Sequence, residues 1–312
     1  MIRPAARIGN DELMTSMTLA PLLAVHISDG ILSAPWQAAG FAGAAVLIAL
    51  GAWRIRDEEI PRIALLTAAF FVASSIHVPV GNVTSVHLLL NGLVGVILGR
   101  RAGLAIAVGL LLQVALLQHG GWLTLGVNTC VMALPALLAG QLFALCQHLP
   151  WVRRPWFRAG LVGVSVLVWT LSLVYSLVLL GTNYSRQVSA LDPAWANDVT
   201  LRPLTLAGAV ALAVLAAWWE PRLGNAPEFP LGLLIGELTV LATTFLNCVV
   251  LVWGGQEDWP SLVLVTLVPH LVIAVIEGVV LGFTLGFLVR VKPEMVHWQT
   301  TESAECVVDS VH

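Results

Sequence analysis

Long apolar runs separated by short polar connections organise almost the whole chain. From Trp36 onward nine such runs follow one another, at about 36–53, 61–78, 86–99, 102–118, 126–147, 157–181, 202–219, 231–253 and 261–289. A helix needs about 20 apolar residues to cross a bilayer, and most of these runs approach that length. The third is short and is interrupted by Asn91, Gly92, Gly95 and Gly99, which weakens it as a lipid-facing helix; it is either less tilted than its neighbours or partly re-entrant. The pattern predicts an all-α integral membrane protein, a polytopic bundle of about nine transmembrane helices.

Composition agrees with the pattern. The 312 residues are 58% hydrophobic and only 11% charged, with a mean hydropathy of +0.89; a soluble domain carries about 25% charged residues. The placement of the fifteen Lys and Arg residues says more than their number. Eleven of them (Arg54, Arg56, Arg62, Arg100, Arg101, Arg153, Arg154, Arg158, Arg222, Arg290 and Lys292) fall in alternate connections, and the other connections hold only Arg186 and Arg202. Positive residues favour the cytoplasmic side, so the bias predicts an N-terminus outside and a C-terminus inside. Nine crossings satisfy that arrangement. The four cysteines have no C-x-x-C spacing and read as small core residues.

Residues 1–24 stand apart from the membrane body 25–295, and 296–312 read as a cytoplasmic tail. Arg3 and Arg7 precede a mildly apolar run that ends in Ala24. Both a cleaved, signal-like leader and an uncleaved extension fit this stretch. Cleavage after Ala24 would leave Val25 as a free amino terminus with His26 second.

The charge bias puts His26, His77, His87 and His119 at the outer face, where a cation arriving from outside meets them first. Neutral imidazole suits Zn, Cu, Ni and Co rather than Mg or Ca. With a free Val25, its amine, the His26 amide and the His26 imidazole form two fused chelate rings. His87 then supplies a fourth nitrogen in the plane, a set that favours Ni(II) or Cu(II). Asp29 is expected to hold the His26 ring by a hydrogen bond, and Ser85 and Asn128 are further candidates to support the ligands. Alternatively these histidines anchor helix ends at the interface.

Val25 to Leu32, VHISDGIL, resembles the H-I-x-[D/E]-G-[F/I/Y]-L signature of the CbiM/NikM family, the cobalt- and nickel-binding membrane subunits of energy-coupling-factor transporters. HVPVGNVTSVHLLLNGLVGVILG (His77 to Gly99) is similar to the family's P-x-x-G-x-T-S-x-H-L segment. LGVNTCVMALPALLAG (Leu125 to Gly140) resembles its L-G-x-N segment, and Pro269 to Met295 its last helix. The resemblance implies metal held by Val25, His26 and His87, with His77 a nearby contributor. It implies Ni(II) or Co(II) as transported substrate, no organic cofactor, and a place in the cytoplasmic membrane. The implied partners are a transmembrane coupling subunit and ATPase subunits, with room for a small accessory membrane subunit, and no nucleic acid. The chain departs from the usual seven spans by an apparent inserted helical pair at about 155–222.

Other intramembrane polar residues, Asn91, Asn128, Glu237, Asn247, His270 and Glu277, are costly in hydrocarbon and are expected to face the bundle. His270 and Glu277 share a helix face, either as a polar relay or as interhelical hydrogen-bonding groups. Ala34, Ala38 and Ala42 form a small-residue stripe, which serves internal packing or resembles a coupling surface. There is no G-x-x-x-x-G-K-[S/T] loop, no H-E-x-x-H and no G-x-S-x-G in the sequence, so nothing in it points to an enzyme. The expected role is substrate capture for metal uptake, with ATP hydrolysis in a partner. The alternative is a self-sufficient proton-coupled transporter using His270 and Glu277.

Overall fold

Each apolar run that the sequence marks out becomes a helix in the computed structural model, which describes residues 26–80, 84–147, 149–185, 198–222, 228–255 and 263–296. The expectations for Val25, for residues 1–24 and for the tail 297–312 lie outside the described residues. We label the helices α1 (Ala34–Ala52), α2 (Ile60–Ser75), α3 (Asn91–Leu98), α4 (Ala102–Leu117), α5 (Leu125–Cys146), α6 (Pro155–Ser185), α7 (Pro203–Trp219), α8 (Glu228–Gly254) and α9 (Val263–Val291). Between α2 and α3 lies an antiparallel hairpin, β1 (His77–Val80) and β2 (Thr84–His87), in which His77 pairs with His87.

Seven helical runs among the described residues, not nine, are long and apolar enough to cross a membrane. α2 has 16 residues and α3 only 8, a rise of about 12 Å against a hydrocarbon core of about 30 Å. The third apolar run is shorter than its sequence suggests because Thr84–His87 is spent on the hairpin. Asn91–Leu117 is one of the seven runs, yet it is bent. Gly99 takes φ 52 and a 3-10 turn covers Gly99–Arg101. His87 and His119, which flank the two ends of the run, have ring centroids 6.0 Å apart. A straight helix of that length would hold its ends about 40 Å apart, so α3 descends and α4 returns.

The short α3 sits at the centre. Every residue from Asn91 to Leu98 is buried except the partly buried Leu93, as expected of a helix apolar all round. Leu66 and Phe70 of α2, Ile106 and Leu110 of α4, Met132 and Ala136 of α5 and Val240 of α8 form the core with it. Close approach is obligatory where a Cβ on Gly95 would lie 1.8 Å from the Ala136 carbonyl oxygen, and where one on Gly236 would lie 2.6 Å from the Gly278 Cα. α6 and α7 pack on each other, with α6 laid against α9. Arg158 and the buried Glu220 tie the base of that pair at 2.6 Å.

Many large apolar side chains are exposed, among them Phe41, Val46, Leu204, Val214 and Phe287. A soluble surface would not carry them; a lipid-facing one does. Exposed tryptophans gather at both ends, Trp122 and Trp253 at the histidine end and Trp53, Trp151, Trp156, Trp218 and Trp219 at the arginine end. Such belts mark the two membrane interfaces. The protein is a multi-pass membrane protein.

Candidate metal centre

The segment 26–33 is seated by its own apolar residues. Ile27, Ile31 and Leu32 are buried against Val127, Val131 and Leu251, while Gly30 turns the chain at φ 85. Leu32 bridges Gly255, and the Ser33 N–H donates to the Gly254 carbonyl at 3.1 Å. Asn128 clamps the residue after the first histidine: its Oδ1 accepts from the Ile27 N–H and its Nδ2 donates to the Ile27 carbonyl, both at 2.9 Å. The Thr124 hydroxyl donates to the same carbonyl at 2.6 Å. His26 therefore precedes a residue whose backbone is fixed at both its N–H and its carbonyl.

Three imidazoles converge there. His26 Nδ1 lies 3.0 Å from His87 Nε2 and 3.2 Å from His119 Nε2, and the three donor atoms all fall within 4.8 Å of one another. His26 and His87 are 2% and 1% exposed; His119 is half-buried. They come from three places in the fold: the entry to α1, the end of β2 and the α4–α5 connection. A metal about 2.0–2.1 Å from each nitrogen places adjacent donors about 2.9 Å apart at right angles and about 3.4 Å apart in a tetrahedron. The two separations from His26 Nδ1, 3.0 and 3.2 Å, lie in that range. His87 Nδ1 is 3.0 Å from the Leu88 carbonyl oxygen, which can only accept. The ring proton is thus on Nδ1, and Nε2 presents a lone pair.

The remaining expectations fare differently. His77 lies opposite His87 in the strand register and Ser85 opposite Pro79; the side chains of both are outside the described residues. Asp29 does not hold the His26 ring. Its carboxylate accepts from the backbone N–H groups of Trp122, Leu123 and Thr124 at 2.8–3.3 Å, in the turn leading into α5, whose positive end attracts an anion. Gly121 is required beside it, since a Cβ there would lie 2.1 Å from Asp29 Oδ1. Asp29 thereby fixes the loop that carries His119. Asn128 bonds to the backbone of Ile27, the residue after His26, and not to an imidazole. His119, placed at the outer face by charge bias but not counted among the ligands, completes the cluster.

His270 and Glu277 are buried in α9, but the hydrogen bonds of the Glu277 carboxylate run to the backbone amides of Leu89 and Leu90 and not to His270. Ala34, Ala38 and Ala42 are all exposed, so they are not packed inside the protein; Gly40, Ala44, Leu47 and Gly51 form the buried face of α1.

Comparison with known proteins gives a consistent result. The family CbiM, described as a cobalt uptake substrate-specific transmembrane region, matches residues 26–218 and 204–295. A protein of Haemophilus influenzae described as a metal transport protein is 50% identical over 119 residues, which are 38% of this chain and 57% of that one. A cobalt transport protein CbiM of Sorangium cellulosum is 32% identical over 235 residues, covering 72% of this chain and 91% of its own. A fused nickel transport protein NikMN of Rhodobacter capsulatus is 29% identical over 274 residues, covering 76% and 77%. In several shorter matches, the Haemophilus protein among them, the chain spans about half the length of the relative.

Proposed function

Because this chain belongs to the CbiM family of cobalt-uptake transmembrane proteins, we propose that it captures Co(II) or Ni(II) at the outer face of the cytoplasmic membrane as the substrate-binding subunit of a multi-subunit importer. The observation that carries this reading is the convergence of three imidazoles, with His87 Nε2 and His119 Nε2 at 3.0 and 3.2 Å from His26 Nδ1 and one nitrogen of each ring within 4.8 Å of the others. All three donors are nitrogen, the donor type both ions accept. The buried positions of His26 and His87 favour a desolvated ion over a hydrated one.

The charge bias orients the molecule so that this cluster faces outward and the Arg100–Arg101 turn faces inward. With no phosphate-binding loop in the sequence, energy for release on the inner side comes from separate ATPase subunits through a membrane coupling subunit. The bonding of Glu277 to backbone amides argues against the self-driven alternative, because that reading needs its carboxylate for protons.

Titration calorimetry on metal-free protein in detergent tests capture. One equivalent of Co(II) or Ni(II) is expected to bind, and binding should vanish in a His26→Ala/His87→Ala double variant. Absence of binding by the wild type for both ions overturns the reading.

A further inference from the structure

His87 is the ligand whose tautomer the structure fixes, and the group that fixes it is itself held. The Leu88 carbonyl that accepts the His87 Nδ1 proton belongs to the peptide unit whose N–H is that of Leu89. That N–H donates to the Glu277 carboxylate, and the next one, of Leu90, donates to the same carboxylate at 2.8 and 2.9 Å. Leu90 takes the left-handed φ of 49 and caps α3 with no side-chain acceptor of its own. Glu277 therefore caps α3 from a different helix. Asn91, the first residue of α3, is held in turn by the Thr243 hydroxyl at 2.7 Å and the Met132 carbonyl at 3.2 Å.

We propose that Glu277 is a positioning residue of the metal site, acting on His87 through the Leu88–Leu89 peptide. Metal-bound histidines commonly donate their second N–H to a carboxylate, which orients the ring and raises the basicity of the coordinating nitrogen. Here one peptide unit stands between the two. The carboxylate pulls on the peptide N–H, the peptide carbonyl becomes the stronger acceptor, and the imidazole receives part of that polarisation along a chain of aligned hydrogen bonds. The same contacts lock the backbone from Leu88 to Leu90, so the ring has one direction in which to point. The buried carboxylate in the middle of α9 thus has a use that requires no proton transfer. The proposal rests on capture of the ion by His87 and its two companion histidines.

Co(II) titration of the full-length protein in detergent, followed by calorimetry and by the visible absorption of the bound ion, tests it. Glu277→Ala is expected to weaken Co(II) binding by about 10- to 100-fold, the usual cost of losing an outer partner, and to shift the absorption of the saturated site. Glu277→Gln keeps an acceptor oxygen but loses the charge, and should lose less, up to about tenfold. Glu237→Gln, a carboxyl on α8 packed near Gly278, should bind as the wild type does. A purely architectural role would lower the yield of folded protein yet leave the affinity and spectrum of the folded fraction unchanged. That result in Glu277→Gln overturns the proposal, including when Glu277→Ala does not fold. Wild type that binds Co(II) beside an unaffected Glu277→Gln sinks this inference alone; wild type that binds none sinks the capture reading and this one with it.

Discussion

His119 shows how much one side chain can alter the chemistry of the centre. With His26 and His87 alone a cation has two imidazoles; with His119 at 3.2 Å from His26 Nδ1 it has three. His119→Ala should leave the fold intact, since the residue lies on a connection and is half-buried. It should weaken Ni(II) and Co(II) binding by more than about tenfold, because a lost ligand costs at least as much as a lost outer partner; calorimetry reads the difference. Asn128→Ala acts on the fold instead. It orphans the buried Ile27 N–H, at a cost of about 1–3 kcal/mol, and thermal unfolding in detergent should register it. Sequence reasoning reaches His26 and His87 because each sits in a motif beside apolar anchors. His119 lies in QHGG, which has no ligand spacing of its own, and only the fold brings it to the other two. Asp29 is misassigned for the opposite reason. Proximity to His26 in sequence suggested a ring partner, whereas three backbone amides in the turn before α5 take the carboxylate instead.

Among the elements, the positions of the helices were legible and their ends were not. Hydropathy marks apolar residues without distinguishing a strand from a helix in a run as short as 86–99. The hairpin thus took Thr84–His87 and left α3 with two turns. The apolar run also gives no sign of the reversal at Gly99–Arg101, which is held by five hydrogen bonds from Arg101. Arg101 donates to the carbonyls of Gly51, Trp53 and Arg54 and to both carboxylate oxygens of Glu59, joining the α3–α4 turn to the α1–α2 connection. Arg101→Ala should destabilise the protein by about 3 kcal/mol. The hydrogen bond from Arg101 holds the Glu59 carboxyl below its usual value of 4.5. A depressed carboxyl stabilises the fold above its unfolded value and loses that contribution as pH falls through the folded one. The gap in melting temperature between wild type and Arg101→Ala should therefore narrow in acid. Gly95→Val tests the helix crossing at α3 and α5: its side chain meets the Ala136 backbone, and overpacking of this kind costs about 1–3 kcal/mol.

At the scale of the whole molecule, one end collects the histidines and the other the arginines, with a belt of tryptophan at each. Labelling with a membrane-impermeant maleimide, in a background without native cysteines, checks the orientation assigned from charge. Trp122→Cys should react in intact cells and Trp151→Cys only after permeabilisation; the reverse pattern would invert the account. The candidate metal centre draws its three imidazoles from the entry to α1, from β2 and from the α4–α5 loop, so it exists only in the folded bundle. X-ray absorption at the metal edge of the Ni(II)-loaded, full-length protein tests that convergence most directly. All-nitrogen coordination with outer scattering from three or more imidazoles is expected, falling by one in His119→Ala; coordination dominated by oxygen, or by two or fewer imidazoles, would contradict a three-histidine site.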